Sequence, residues 1–273
     1  MAKISAKDVA KLRKMTGAGM MDCKKALTET EGNFDEAIDL LRKKGQKIAS
    51  KRADRDATEG VVLSKISTDG KKAVIITLNC ETDFVAKNED FIAFGKKIVD
   101  AAAENTPANL NDLKKVTIDG KTIEDEVINQ TGVIGEKLDV SYYELVEGET
   151  VSSYIHHGNR LATVVSFNKE LDAEKAKDVA MQVAAMNPVA VSKDSVPQEV
   201  IDKELEIGKA QAIEEGKPED LAGKIAFGRL NKFFKESTLL AQAFVKDNKK
   251  TVEQYIKESD KDLTVNDFKR YSL

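Results

Sequence analysis

Residues 61–79, VVLSKISTDGKKAVIITLN, leave a folding chain few alternatives. Two strand-forming runs flank the turn signal Thr68-Asp69-Gly70, which predicts an antiparallel hairpin. A short polar connection follows, then an amphipathic helix over about 88–103 with Phe91, Ile92, Ile98, Val99 and Ala102 on its apolar side. The same order returns at about 150–187. There TVSSYIHHG and RLATVVSFN read as strands, and Asp172 caps a helix AEKAKDVAMQVAAM that ends at Asn187-Pro188. Residue identity between the two stretches is low, so the repeat is one of element order. Between them, residues 107–135 are mixed and short-helical with Thr122 as a cap, and KLDVSYYELV supplies another strand. The pattern predicts an α+β fold whose core has two related halves, each an antiparallel sheet with a helix.

Ahead of the hairpin, residues 5–45 predict three compact helices. Ser5 with Asp8 makes a capping-box start, and TGAG (16–19) breaks the first helix. A second helix carries Met20, Cys23, Ala26 and Leu27 at helical spacing, and Gly32 ends it. Asn33 with Glu36 caps a third, bearing Phe34, Ala37, Ile38 and Leu41, which Gly45 is expected to close. The stretch 43–60 is charged and free of proline, and reads as a helical or flexible linker. After Pro197 two heavily charged helices are separated by the breaker GKP (216–218), which predicts an antiparallel helical hairpin at about 197–236. Ile201, Leu205, Gly208 and Ala212 would face Leu221, Ile225 and Gly228 across its seam. Thr251 with Gln254 forms a second capping box, and a strand-like LTVNDF follows. The expected division is therefore 1–52 for the helical head, 53–138 for the first half of the core, and 139–273 for the second half with the inserted hairpin.

Composition narrows the function classes. Charged residues are 33% and apolar residues 41%, as in soluble globular proteins. No apolar run approaches the 18 or so residues of a membrane span, and MAKISAKDVAK lacks the apolar stretch of a signal peptide. Two cysteines are too few for a disulfide framework or a four-cysteine zinc site, which points to a reducing, cytoplasmic setting. The net charge of −4 hides an asymmetry. Residues 1–52 hold thirteen Lys/Arg against seven Asp/Glu, so a basic head sits on an acidic body. Those lysines lie among glutamates without interleaved aromatics, as on a solvated surface, so no direct nucleic-acid partner is expected.

Catalytic chemistry finds no footing. His156 and His157 are adjacent on an expected strand, which would send their side chains to opposite faces. Cys23 and Cys80 read as buried small hydrophobes. GAGMMD is glycine-rich but follows a helix, and no GxxxxGK[ST] loop is present. No catalytic residue, metal or cofactor is expected. Two features stand open. Met20 and Met21 are consecutive, so one helix face cannot bury both, and the pair reads either as one core residue plus one surface residue or as a docking surface. Phe84 lies in the polar connection NCETDFVAKNEDF (79–91), either tucked beneath the helix that follows or held out for a partner.

The segments TGAGMMDCKKAL (16–27) and TDFVAKN (82–88) resemble bacterial elongation factor Ts, as do HGNRLATVVS (157–166), LLAQAFV (239–245) and the order of parts around them. The resemblance spans nearly the whole chain. It implies a guanine nucleotide exchange factor for elongation factor Tu, acting by binding and without covalent chemistry. The head would be a ubiquitin-associated-like domain that docks on the Tu GTPase domain, with Arg13, Met20 and Met21 on the docking face. Asp83 and Phe84, flanked by Thr82 and Val85, would enter Tu beside its nucleotide and disturb the region that holds Mg²⁺ and the phosphates. His157 and Gly158 would approach another domain of Tu, and the helical hairpin would serve self-association. Some members of the family continue into a further C-terminal helical segment that touches Tu. This chain stops at NDFKRYSL, so no Tu contact is assigned after about residue 245. A rival class, a protein-binding adaptor that uses the head alone, has no need of the TDFVAKN loop.

Overall fold

Ser5 starts the first helix as its sequence predicts: its hydroxyl accepts from the Asp8 amide while the Asp8 carboxylate accepts from the Ser5 amide. Three helices form the head, α1 (Ala6–Thr16), α2 (Met20–Glu29) and α3 (Phe34–Arg52). Leu12, Cys23, Leu27 and Ala37 fill the space between them. The computed structural model describes residues 4–273.

The hairpin that opens the core is β1 (Glu59–Ile66) and β2 (Lys72–Cys80), paired antiparallel around Asp69-Gly70. The polar connection after it contains a single helical turn, α4 (Asp83–Ala86), where the sequence suggests only loop. Next come α5 (Glu89–Asn105), α6 (Leu110–Lys115), a two-residue ladder of β3 (Thr117–Ile118) with β4 (Lys121–Thr122), and α7 (Ile123–Ile134). Strand β5 (Asp139–Glu147) then returns against β2, giving the order β1-β2-β5. Since β5 follows residue 138, the division drawn there separates a strand from its own sheet.

The second half repeats this path. A hairpin of β6 (Thr150–Ile155) and β7 (Leu161–Phe167) is followed by α8 (Ala173–Met186), the inserted pair α9 (Gln198–Glu214) and α10 (Glu219–Ser237), a short ladder of β8 (Ala243–Phe244) with β9 (Asp247–Thr251), and α11 (Val252–Lys257). Strand β10 (Val265–Ser272) is longer than the LTVNDF motif and pairs with β7, giving the order β6-β7-β10. Both late strands carry one extra residue near their start, Ser141 in β5 and Asn266 in β10, which bends each around its middle strand.

Side-chain alternation explains the layering. On one face of the first sheet Val61, Leu63, Val74, Ile76 and Leu78 pack on Phe91, Ile98 and Ala102 of α5. The residues between them, Val62, Ala73 and Ile75, join Val151, Ala162 and Val164 of the second sheet. The second sheet's remaining face, with Val165 and Phe167, packs on Val179 and Val183 of α8. The core is thus helix, sheet, sheet, helix.

Two sequence expectations change in three dimensions. In the helical hairpin, α10 turns Ala222, Ala226 and Leu230 inward, while Leu221 and Gly228 are exposed and Ile225 is half-buried. Small residues win this seam because α9 and α10 approach closely: a Cβ on Gly208 would lie 3.2 Å from Ala226 Cα. Gly45 does not close α3, which continues to Arg52. It marks instead the crossing of α3 over α7, where a Cβ on Gly45 would lie 3.4 Å from Gly132 Cα and a Cβ on Gly132 would overlap the Gly45 backbone. A glycine that looks like a stop signal is the place where head and core touch backbone to backbone.

This crossing yields a paired test. Gly132→Ala should lower stability by about 1–3 kcal/mol, because backbone cannot yield as a flexible side chain can. Gly228→Ala on exposed α10, with nothing within 4 Å of its would-be Cβ, should raise it by about 0.5–1 kcal/mol. Thermal unfolding of both variants measures the difference, and an unaffected Gly132→Ala protein would mean the crossing is loose.

Candidate functional site

Strand β2 ends at Cys80, whose buried thiol donates to the Thr82 carbonyl at 3.1 Å. Burial first, then the Glu136 carboxylate, pushes that thiol up to about 12, so it stays protonated and inert as a nucleophile. Two residues later Thr82 turns extended chain into helix. Its backbone is in the β region, and its hydroxyl oxygen accepts from the Val85 amide at 3.5 Å, capping α4. One turn further on, Asn88 caps α5 by accepting from the Asp90 and Phe91 amides. The segment Asp83–Lys87 is therefore one turn held between two caps.

Within it, side-chain direction follows from the turn. Ala86 is buried and Val85 packs against the first core cluster, which leaves Phe84 on the outside, 83% exposed. The ring is not tucked beneath α5 but lies in solvent. Asp83 lies beside it, its carboxylate accepting from Lys87 Nζ at 2.6 Å. That hydrogen bond holds the Asp83 carboxyl below its ordinary range.

The base of the turn is fixed from behind. Glu136 Oε2 accepts from the Glu81 amide (3.1 Å) and the Thr82 amide (3.0 Å), and its Oε1 accepts from the Thr82 hydroxyl (2.7 Å). The Glu81 carboxylate in turn accepts from Arg52 (2.6 Å), Arg55 (3.0 Å) and the Lys137 amide (2.6 Å). None of the partners Arg52, Arg55, Glu136 and Lys137 is evident from sequence spacing, because each contact joins residues 26 or more positions apart. The one local hint is Gly135, a left-handed cap of α7 that sets where Glu136 and Lys137 begin.

The other residues named from the sequence lie on the head and on the β6–β7 turn. Met20 and Met21 open α2 and are 51% and 75% exposed, so neither serves the head core. Arg13 is exposed on the last turn of α1, across the Gly17–Gly19 connection from them. That end of the head, through Lys14 and Gly17, borders one cleft with Val85 and Asn88 of the turn segment. His156 and His157 do not lie on a strand as expected. Strand β6 stops at Ile155, and His157 and Gly158 form the exposed β6–β7 turn, with Gly158 and Asn159 at positive φ. The Asn159 carbonyl accepts from the Val62 amide at 2.7 Å, and Arg160 pairs with Glu59. Since Glu59 lies opposite Cys80 in the β1–β2 ladder, this turn and the Phe84 turn share one end of the first sheet.

Among the described residues no cluster of three or more His, Cys, Asp or Glu is placed to hold a metal ion, and no helix is long and apolar enough to cross a membrane. The site offers an exposed aromatic ring, a carboxylate paired with Lys87 and, on the head, two exposed thioethers.

A family model described as Elongation factor TS matches residues 81–273, a span that begins at Glu81 and includes the Phe84 turn. Curated relatives called Elongation factor Ts match along the whole chain. That of Christiangramia forsetii is 52% identical over 275 residues, covering 100% of both chains. That of Porphyromonas gingivalis is 51% identical over 271 residues, covering 99% of this chain and 98% of its own. That of Amoebophilus asiaticus is 52% identical over 270 residues, 98% of each.

Glu81 gives the site a pH signature. Desolvation alone would raise its carboxyl, but the Lys137 amide and the Arg52 and Arg55 guanidiniums outweigh it and hold the group at about 2, against an ordinary 4.5. The folded state favours the carboxylate, so this contribution is complete above pH 4.5 and is lost as pH falls toward 2. Urea unfolding at stepped pH should show stability falling across that window more steeply in the natural protein than in Glu81→Gln. Equal slopes would clear Glu81 of the effect.

Proposed function

The chain belongs to the elongation factor Ts family, and on that premise we propose that it acts as a guanine nucleotide exchange factor for elongation factor Tu in translation elongation. The observation that carries this reading is Phe84, left in water on a turn whose backbone is pinned. Such exposure forgoes about 1.5–3 kcal/mol of burial, which becomes available when the ring enters a partner. In the proposed mechanism Phe84, with Asp83 beside it and Thr82 and Val85 forming the turn, enters Tu next to its nucleotide. Mg²⁺ and the phosphates of GDP then fit poorly. No bond is made or broken by this chain, and no cofactor of its own takes part.

Linkage sets the size of the task. Factor and GDP each bind Tu, and each must weaken the other by the same factor. Loosening GDP by 10³-fold needs a coupling of roughly 4 kcal/mol, more than one phenylalanine supplies. The remainder falls to the wider surface, which holds Tu in a conformation that suits the nucleotide badly. Arg13, Met20 and Met21 of the head are its first component, the methionines supplying flexible apolar contact. His157 and Gly158, at the same end of the first sheet as Phe84, are the second. Self-association belongs to the α9–α10 hairpin, where Ile213, Leu221 and Phe227 are exposed.

Release of a fluorescent GDP analogue from the cognate elongation factor Tu tests the proposal. The intact protein should accelerate release strongly. Phe84→Ala should cut that acceleration by about 10- to 100-fold, the burial energy of one ring, while keeping much of the affinity for Tu. Equal loss of binding and exchange would remove Phe84 from its assigned role. No acceleration by the intact protein would sink the exchange reading and bring forward an adaptor that works through the head.

A further inference from the structure

An exposed phenylalanine on one turn of helix has nothing of its own to aim it. A single turn is unstable in isolation, and Phe84 makes no packing contact that would fix its direction. Yet the turn sits in a closed ring of contacts. Helix α3 meets α7 at Gly45 and Gly132. Three residues after Gly132, Gly135 ends α7 in the left-handed conformation and delivers Glu136 to the Glu81 and Thr82 amides and the Thr82 hydroxyl. The Glu81 carboxylate closes the ring by accepting from Arg52, the last residue of α3. Lys137 braces it, its amide on Glu81 and its ammonium on the Ala53 and Arg55 carbonyls at 2.7 and 2.8 Å. The head helix thus grips the presenting turn from two sides, and every link is a hydrogen bond or a backbone contact.

We propose that Glu136 is a positioning residue for exchange: by accepting two backbone amides and the Thr82 hydroxyl, it orders the turn in advance so that Phe84 enters its partner without first being organised, and through Glu81 it ties that presentation to the head. The proposal rests on the exchange reading above. The physical reason is entropy. Docking rests on the head and core, so the cost of ordering the turn falls on the later step in which Phe84 enters, and a turn ordered beforehand loses less in that step. The carboxylate is suited to this task, since it accepts three hydrogen bonds and has no proton to offer.

Glu136→Ala in the full chain should lower the maximal rate of GDP-analogue release from Tu by about tenfold, the scale of ordering one residue. The dissociation constant for Tu should change little. Glu136→Gln, which keeps one oxygen able to accept both amides, should restore most of the rate. Because Glu136 acts through Phe84, Glu136→Ala combined with Phe84→Ala should be no slower than Phe84→Ala alone. Multiplying losses in the double variant, or a fall in affinity that matches the fall in rate, would overturn the proposal. If Glu136→Ala fails to fold, Glu136→Asp, which is one methylene too short to reach the Glu81 and Thr82 amides in the same way, is judged by the same criteria.

Backbone order parameters over Asp83–Ala86 in the free protein give a readout that needs no exchange activity. They should drop from the rigid range toward that of a flexible loop in Glu136→Ala. A turn that stays rigid without Glu136 refutes the positioning role even if exchange is confirmed. An intact protein that fails to accelerate release refutes the exchange reading, while the order parameters still decide whether Glu136 holds the turn.

Discussion

The back-to-back packing of the two sheets is the contact on which the rest of the molecule depends. Val62, Ala73, Ile75 and Val146 meet Val151, Ala162 and Val164 in one buried apolar layer. Once this layer forms, each sheet has one free apolar face, and only a helix of matching length and periodicity can cover it. α5 and α8 do so on opposite sides, which forces the four-layer order. It also decides where loops can go. The β6–β7 turn is drawn onto the start of β1 by the Asn159–Val62 hydrogen bond and the Arg160–Glu59 pair. His157 and the Phe84 turn therefore come to the same end of the molecule although more than seventy positions separate them in the chain.

The head is attached by a different kind of force. Its link to the core includes a glycine-to-glycine crossing and a group of charged residues around Glu81. Charged hydrogen bonds are directional, and they hold orientation better than they hold mass. A head fastened this way cannot tilt without disturbing Glu81, and Glu81 is the residue before the cap of α4. Stability and presentation are therefore joined at one place, so a residue that looks structural by its burial can act on function without touching a partner.

Much of this was legible in the sequence, for local reasons. The capping box at Ser5, the Asn33 and Asp172 caps and the TDG hairpin are signals written within four residues, and each forms as read. What was not legible depended on partners far away. Gly45 carries the mark of a helix stop, and only the approach of Gly132 turns it into a crossing point. The larger Leu221 suggests burial in the α10 seam, whereas the close approach of α9 favours Ala222 and Ala226. The run TVSSYIHH reads as one strand, whereas Gly158 and Asn159 take positive φ and turn the chain early. For the site, the exposure of Phe84 could not be settled from pattern, since its resolution depends on which side of a single turn faces the core. The resemblance drawn from TDFVAKN supplied what periodicity could not.

One regularity in the sequence carries more than its low identity suggests. Helix α5 ends at Thr106 and helix α8 at Asn187, both in the left-handed region with nearly the same angles, and a proline follows each. Each half then makes a short two-stranded ladder that closes on Lys-Thr, with Thr122 or Thr251 capping the helix that follows and Ile123 or Val252 buried behind it. Each ends in a strand with a bulge at its start. The two halves therefore share not only topology but the joints that set it, and they differ in what is inserted between the joints. The first half places the Phe84 turn between its hairpin and its long helix. The second has no such turn there, and inserts α9 and α10 after its long helix instead. Because the joints are satisfied locally by caps and bulges, the insertions differ while the sheet order stays the same. That independence is the physical condition under which a repeated scaffold can present a probe on one half and an arm on the other.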